Sequence, residues 1–541
     1  MAVAAHVLDH SADLLGDAQG YAQALIDLGE DASRLVARLL MRSTPVIRED
    51  SLNYAEVDDR EKAIAELEDA GLIERDGPVP AAALLERLKV AELKSLFAEL
   101  DEKKDRKQDR VARILCAYTD PIIRSRCNEY VHWITVDVDQ HLERVRLTYF
   151  GDLYRDLTEF VMRDLGISEF EDYELGHSAR AFAQARELDQ YLQLASLQRL
   201  ARQRRRRALT WLFEQPMVAA RQLSNRSLLR RRDKLLNEWG RDFERDQLQF
   251  EAHQCYERST AHPARERRIR LFTKADNAVA SAQLLDDIRK SPWSAEEALF
   301  AQRFGLPRVQ KTQKARSKKT SPARVPWRET QWNTPHKQMP DVERRTALEL
   351  TRNGGQAWHT ENGLLQSLLG LVFWDIVFAP EAGMFTHPFQ SGPRDLYWPD
   401  FRVRRAALIN ARLEDCADPK KLWRIIENRV KTKAGKVTRL VHWGLVTYNG
   451  GEVLAAAKEC FSADQLIALF DYMLNDLGQV RSGMPDLFVA YGSGCFELVE
   501  VKGPSDQLQP NQRVWLRSLC ELGIPCRVIK HKYVAANTHG R

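Results

Sequence analysis

The chain has 541 residues, of which 44% are hydrophobic and 29% charged, and its net charge is only +5. Because a single hydrophobic core stops growing at about 250 to 300 residues, this length excludes a one-domain protein and predicts roughly three or four domains. The modest net charge identifies no function, so the distribution of charge along the chain is more informative.

The eight cysteines are scattered, without a Cys-x-x-Cys pair or a Cys/His group at zinc-binding spacing. This pattern is typical of reduced cysteines in a cytosolic protein. The first residues lack the features of a signal peptide, and the most apolar run, residues 368–379, is interrupted by Asp375 and too short to span a bilayer. We therefore expect a cytoplasmic protein without a membrane partner.

The N-terminal part of the chain is helical and charged in its pattern. Residues 1–77 form a predicted helical domain, in which "REKAIAELEDAGLIERDG" indicates a helix that stops at a glycine. Residues 78–118 form a second unit, which resembles a SAP module of two short helices joined by a turn. The resemblance depends on Leu88, Val90, Leu93, Leu96 and the closing helix at 111–115. An unrelated helical hairpin is the alternative.

Residues 119–306 are almost continuously amphipathic, with few strand signals and no strict repeat period, and we expect the stacked helix pairs of an α-solenoid. Residues 199–245 within this part hold fourteen Lys and Arg against five Asp and Glu. Such clustering is typical of a nucleic-acid-binding surface, although a solvated helix face gives the same pattern.

The segment 307–327 predicts a basic, flexible linker, because it contains three prolines and has no apolar periodicity. Beyond it, residues 328–541 predict an α/β domain. A buried helix is expected near 360–378, followed by the β-type runs "LVHWGLVTY", "PDLFVAYG", "CFELVEVKG" and "PCRVIKHKYV". The predicted fold class is therefore multidomain, with all-α domains preceding an α/β domain.

Three charged residues interrupt the predicted hairpin of residues 486–502. Because side chains alternate along a strand, Glu500 and Lys502 share one face and Val501 points into the core. The return strand brings Glu500 beside Asp486, and two buried carboxylates repel unless a cation lies between them. Oxygen ligands suit Mg²⁺ or Mn²⁺, ions that activate water for attack on phosphate. A structural ion pair is the alternative for this short pattern.

Two further residues are candidates for the same site. Glu361 precedes the predicted buried helix and can supply a third acidic ligand, although it can also simply complement the helix dipole. Gln512 lies near the start of a helix after the hairpin and can support the site by hydrogen bonds, or it can be an ordinary exposed glutamine. Lys502 can orient or deprotonate an attacking water, or stabilise the pentacovalent phosphate.

Longer motifs make the sequence recognisable. The segments "SGMPDLF", "ELVEVKGPSDQLQPNQRVWL" and "LGIPCRVIKH" resemble the VRR-NUC branch of the PD-(D/E)XK nucleases. Together with "YFGDLYRDLTEFVMRDLG", "ALTWLFEQP", "PARERRIRLF" and "GLVFWDIVF", most of the chain is similar to the Fanconi-associated nuclease family. The resemblance implies a DNA-binding domain at 1–77, a SAP module at 78–118, a TPR-like domain at 119–306 and a VRR-NUC nuclease domain at 328–541.

The resemblance also implies an activity and its residues. It implies a structure-specific DNA nuclease of crosslink repair that cuts near 5′ flaps and degrades DNA from 5′ to 3′. By position, Glu361, Asp486, Glu500 and the Val501 carbonyl hold one or two Mg²⁺ or Mn²⁺ ions, and Lys502 positions the water. The expected partner is flapped, branched or crosslinked DNA. The candidates for phosphate contact are Lys89, Lys94, Arg204, Arg205, Arg206, Arg207, Arg230, Arg231 and Arg232.

Two departures from eukaryotic members shape the remaining expectations. The chain lacks an N-terminal Cys/His cluster, which predicts a bacterial, nucleoid-associated form without ubiquitin recognition. Gln507 and Asn511 stand where eukaryotic members carry basic residues, so any pocket for a 5′-phosphate needs other arginines. We expect a monomer. The alternatives are a Holliday-junction or restriction-type endonuclease and a non-catalytic DNA-binding scaffold.

Overall fold

The protein is described here by a computed structural model. It describes residues 1–42, 44, 46–100, 106–136, 141–153, 166, 168–175, 180–203, 215, 218, 223, 225–304, 326–335, 341–492 and 494–534. The chain divides into two compact units. The first comprises Met1–Val161 and His177–Gln193, and the second comprises Met162–Gly176 and Leu194–Arg541.

The first unit combines helices with a small antiparallel sheet. The strands β1 (Val46–Arg48), β2 (Ile73–Arg75) and β3 (Trp133–Val136) pair in the order β1-β3-β2. The expectation of an all-α region is therefore wrong here, because Trp-Ile-Thr-Val in β3 pairs with strands that lie far away in the sequence. The helices are α1 (Ala2–Leu15), α2 (Ala18–Asp27), α3 (Glu30–Leu40), α4 (Arg60–Asp69), α5 (Ala81–Arg87), α6 (Val90–Leu96), α7 (Lys107–Ala117), α8 (Asp120–Tyr130) and α9 (His141–Phe150).

Helices α5 to α8 surround one apolar cluster. Leu88 and Leu93 are fully buried in it, whereas Val90 is 40% exposed. Ile123 and Cys127 of α8 belong to the same cluster, so the structure shows no boundary at residue 118. The short helices predicted for the SAP-like segment are present, and its assignment to the SAP class stays a prediction.

A helical region leads into the second unit. Its helices are α10 (Ala185–Gln203), α11 (Arg226–Arg245), α12 (Gln249–Arg258), α13 (Ala264–Lys274), α14 (Ala278–Lys290) and α15 (Ala295–Arg303). From α11 to α15 each helix packs against the next, as expected for stacked helix pairs. The TPR-like assignment stays a prediction, and most of the predicted basic linker lies outside the described residues. No described helix has the length and hydropathy needed to cross a membrane.

The C-terminal part contains a mixed sheet of five strands, β4 (Arg328–Pro335), β5 (Gln356–His359), β6 (Leu487–Gly492), β7 (Cys495–Lys502) and β8 (Cys526–Val534), in the order β4-β8-β7-β6-β5. β5, β6 and β7 are antiparallel neighbours, and β8 runs parallel to both β7 and β4. The helices of this part are α16 (Val342–Arg352), α17 (Leu364–Val372), α18 (Trp374–Val377), α19 (Phe401–Arg404), α20 (Ala406–Asp415), α21 (Pro419–Lys433), α22 (Trp443–Val446), α23 (Glu452–Cys460), α24 (Ala463–Asn475), α25 (Leu477–Val480) and α26 (Pro510–Glu521).

The two faces of this sheet bury different apolar clusters. Phe488 and Leu498 join the large cluster that contains α17, whereas Leu487 and Val499 join the smaller cluster under α16. This alternation is the period-two pattern of a sheet that is covered on both sides. The run "LVHWGLVTY" is not a strand, because Leu440 and Val441 form a buried loop that packs against Gly370 and leads into α22.

Candidate active site

The hairpin β6–β7 brings two carboxylates together. Leu487 pairs with Val499, so the same register places Asp486 opposite Glu500. The backbone N–H of Val501 donates a hydrogen bond of 2.7 Å to Asp486 Oδ2. The predicted hairpin is thus confirmed, and its charged residues lie at the end where the two strands meet the adjoining loops.

Both carboxyl groups are buried. Asp486 is 5% exposed and Glu500 is fully buried. The pKa of Glu500 is raised to about 8, chiefly by burial and also by the charge of the neighbouring Asp486, despite the opposing effect of Lys502. Burial also raises the pKa of Asp486 to about 6, although the Val501 N–H opposes this shift. The fold therefore holds two carboxylates where their charged forms are poorly compensated.

Lys502 provides one positive charge at this pair. Its Nζ lies 2.8 Å from Glu500 Oε1, and its side chain is 12% exposed. Both carboxylate oxygens of Glu500 are buried, and within the described part of the chain neither accepts a hydrogen bond of acceptable geometry. A buried carboxylate in this condition retains lone pairs for a cation.

Glu361 lies in the turn between β5 and α17, where it is exposed. The turn is held against the site, because the Thr360 N–H donates to the Asp486 carbonyl at 2.8 Å and the Met484 N–H donates to Asn362 Oδ1 at 3.2 Å. The charge of Glu361 contributes to the raised pKa of both buried carboxyl groups. Glu361 therefore lies beside the carboxylate pair. It does not open helix α17, because a turn containing Asn362 in the left-handed conformation separates the two.

Sequence reasoning missed a fourth acidic residue near the site. Glu343, in the first turn of α16, contributes more to the raised pKa of Asp486 than Glu361 does. Its Oε2 is hydrogen bonded to His359 Nε2 at 2.8 Å, and His359 is the last residue of β5. No sequence signal indicates this role, since an acidic residue in the first turn of a helix is usual.

The donor set fits a divalent cation that prefers oxygen ligands. Among the described residues, no three His, Cys, Asp or Glu side chains converge closely enough to enclose a metal ion by themselves. The site instead offers two adjacent buried carboxylates, of which Glu500 has uncompensated lone pairs, and an exposed third carboxylate nearby. Mg²⁺ and Mn²⁺ accept such partial protein ligation, because water and phosphate oxygens complete their coordination.

The other predicted site residues are dispersed. The Gln509 N–H donates to Gln512 Oε1 at 2.9 Å, so Gln512 caps its own helix, α26, and its support of the site stays a prediction. Lys89 and Lys94 are exposed at α6. Arg204, Arg205, Arg206 and Arg207 lie outside the described residues.

The second arginine run divides by environment. Arg230 is exposed and lies over the Trp398 ring at 5.1 Å, and the half-buried Arg231 donates to Gln198 Oε1 at 3.2 Å. Arg232 is fully buried and pairs with Asp233 at 2.9 Å. Its burial contradicts the predicted contact of Arg232 with DNA phosphate.

Both ends of the chain match known protein families. Residues 419–532 match the VRR-NUC domain family, and residues 1–74 match the family described as FAN1, HTH domain. The chain is 32% identical to the Fanconi-associated nuclease 1 homolog of Pseudomonas aeruginosa, over 97% of this chain and 94% of that protein. It is 25% identical to the homolog of Oryza sativa, of which it covers 59%.

Solved structures are similar over nearly the whole chain. The crystal structure of paFAN1 bound to 2nt 5′flap DNA with gap aligns with a TM-score of 0.85 and 29% identity, covering 99% of this chain and 97% of that one. The structure of paFAN1 bound to 1nt 5′flap DNA with gap aligns with a TM-score of 0.83 and 30% identity.

Proposed function

The chain belongs to the Fanconi-associated nuclease family, and we propose that it hydrolyses DNA at 5′ flaps with the carboxylate pair Asp486 and Glu500. The observation that carries this proposal is the buried pair beside Lys502, whose charges the surrounding protein leaves poorly compensated. Without a cation, burying these two carboxylates would only destabilise the fold, because they repel each other and are poorly solvated. A bound divalent ion would neutralise the pair.

The proposed substrate is DNA with a 5′ flap. The similar paFAN1 structures are bound to 5′flap DNA, and the alignment with them covers 99% of this chain. We extend this to 5′-to-3′ exonuclease action and to a part in interstrand-crosslink repair. The protein is proposed to act as a monomer in the bacterial cytoplasm, associated with the nucleoid and without a ubiquitin partner.

The residues of the site have separate tasks in this proposal. Asp486, Glu500, Glu361 and the Val501 carbonyl would hold one or two Mg²⁺ or Mn²⁺ ions. When bound, such an ion supplies positive charge to the phosphodiester and acidifies water. The Val501 N–H fixes one oxygen of Asp486, which orients the other oxygen. Lys502 holds the attacking water by its ammonium group. The water oxygen bonds to phosphorus and releases a proton to solvent, while the bond from phosphorus to the departing strand breaks and the departing oxygen takes up a proton from solvent.

The test is cleavage of an end-labelled 5′-flap duplex in Mn²⁺. The protein is expected to cut near the flap, and Asp486→Ala is expected to bind the flap with nearly unchanged affinity and to cut at least about 100-fold more slowly, since a shared ligand and its charge are lost. Asp464→Ala is the matched control, because Asp464 is exposed in the same unit. Retained cleavage by Asp486→Ala would refute the site.

The same assay separates the alternatives. A Holliday-junction or restriction-type enzyme would prefer four-way junctions or plain duplex over the flap when all are supplied at equal concentration. A non-catalytic scaffold would bind the flap tightly and cut none of these substrates with either metal.

A further inference from the structure

Helix α21 has two sharply different faces. Its buried residues Leu422, Trp423 and Ile426 join the large apolar cluster, and the helix packs against α17. The opposite face is exposed and polar, and it begins at Lys420. Its members are Lys420, Arg424, Glu427, Asn428 and Lys431, and the last four lie four, seven, eight and eleven residues after the first. This spacing follows the helical period, so the five side chains form one continuous stripe.

The cations on the flanks of α21 have acidic partners. Lys421 pairs with Asp415 at 3.4 Å, and Arg429 pairs with Asp375 at 3.1 Å. Lys433 pairs with the buried Glu171 at 2.7 Å. These cations serve the fold, because each one neutralises a carboxylate of a neighbouring element.

The cations of the exposed stripe differ from those on the flanks. Among the described residues, no carboxylate lies within ion-pair distance of Lys420, Arg424 or Lys431. The one acidic residue of the stripe, Glu427, pairs with Lys458 at 2.5 Å, so its charge is already balanced. Lys420 and Arg424 are four residues apart, a separation at which like charges repel on a helix.

The geometry of the stripe fits a nucleic-acid backbone. Eleven residues of helix separate Lys420 from Lys431, or about 16 Å, the axial rise of roughly five base pairs of duplex. Helix α17, on which α21 packs, begins three residues after Glu361. The stripe therefore belongs to the same packed body as the carboxylate pair.

We propose that the three cations of the exposed stripe of α21, which are Lys420, Arg424 and Lys431, bind the phosphate backbone of a duplex arm of the substrate. This inference rests on the proposed function and adds a contact surface to it. The contacts carry no base information, so they hold the duplex in register with the cleavage site. Bound phosphates also relieve the repulsion between Lys420 and Arg424.

The test compares two triple variants that each remove three positive charges. The first is Lys420→Gln/Arg424→Gln/Lys431→Gln. The control is Arg245→Gln/Lys290→Gln/Arg352→Gln, whose exposed cations each have an acidic neighbour on the same helix. Binding of a fluorescent 5′-flap duplex is followed by anisotropy with a chelator present, over a series of KCl concentrations.

Each lost phosphate contact lowers the slope of log K against log salt by about 0.9, so the first variant is expected to lower it by about 2 to 3 and to bind on the order of 10- to 100-fold more weakly near ~0.1 M salt. The control is expected to keep the slope of the wild type. A blunt duplex is expected to show the same loss as the flap substrate, because the stripe contacts the paired arm.

Three outcomes would overturn the proposal: an unchanged slope, an equal change in the control, or a change seen with the flap substrate but not with the blunt duplex. If the triple variant melts below the wild type, the single variant Arg424→Gln is tested in the same binding assay instead. It is expected to lower the slope of log K against log salt by about 1. If the wild type cuts the flap and the triple variant keeps the wild-type salt slope, only the proposed contact surface is refuted. A wild-type protein that neither binds nor cuts flap DNA refutes the proposed function and the surface together.

Discussion

Replacement of Glu500, a proposed metal ligand, should stabilise the metal-free protein. Glu500 is fully buried with a pKa raised to about 8, compared with an ordinary value of 4.5. The unfolded chain therefore releases the Glu500 proton at a lower pH than the folded chain does. Below pH 4.5 both states keep the proton, and as the pH rises toward 8 the folded state loses stability relative to the unfolded state.

The size of this loss follows from the two pKa values. It amounts to less than about 1 kcal/mol at pH 5 and grows to roughly 4 kcal/mol at pH 8. Glu500→Gln keeps the shape of the side chain and removes the titration, so this free energy is recovered in the variant. The repulsion shared with Asp486 is removed by the same substitution, so the two contributions should not be added.

The measurement is thermal unfolding of the metal-free wild type and Glu500→Gln at pH 5 and pH 8. The variant should melt several degrees higher at pH 8 and nearly together with the wild type at pH 5. Exposed Glu459→Gln is the control and should show no such pH dependence. Added Mn²⁺ should raise the melting temperature of the wild type more than that of the variant. A variant that melts below the wild type at pH 8 would refute the reasoning.

Two further predictions concern packing and buried charge in the second unit. Gly370→Ala should destabilise the protein by about 1 to 3 kcal/mol, because its Cβ would lie 2.7 Å from Leu440 Cβ in a closely packed core. The measurement is the free energy of unfolding in denaturant, and an unchanged value would show that the loop carrying Leu440 can move away. Arg265→Met should cost roughly 3 to 5 kcal/mol, since it leaves the fully buried Glu297 without its bidentate partner, whereas Arg270→Met at an exposed pair should cost about 0 to 1 kcal/mol in the same unfolding assay.

The hairpin was predictable because its signals are local. Alternating apolar residues and a glycine-rich turn define β6 and β7, and the period of two then places Asp486, Glu500 and Lys502 without further information. The mixed sheet was harder to predict, because β4 pairs with β8 through residues almost 200 positions apart, such as Arg328 and Arg527. Local propensity carries no information about such a pairing.

The errors also have local physical causes. The aromatic and β-branched composition of "LVHWGLVTY" suits a strand and a buried loop equally, and close packing of Leu440 and Val441 on Gly370 decides for the loop. The left-handed Asn362 separates Glu361 from the helix that it was expected to open. Nothing in the sequence distinguishes Arg232 from Arg230, although one is buried against Asp233 and the other is exposed.

The carboxylate pair and the stripe of α21 share one physical property. Elsewhere in the second unit, buried carboxylates have basic partners. Asp395 pairs with Arg405 at 2.7 Å, and Glu171 pairs with Lys433 at the same distance. Glu500 has more lone pairs than Lys502 can satisfy, and the three cations of the stripe have no ion-pair partner among the described residues. The buried excess at Glu500 carries a desolvation cost that a divalent cation would relieve, whereas the exposed cations of the stripe are solvated and attract anions such as the DNA phosphates proposed to bind them.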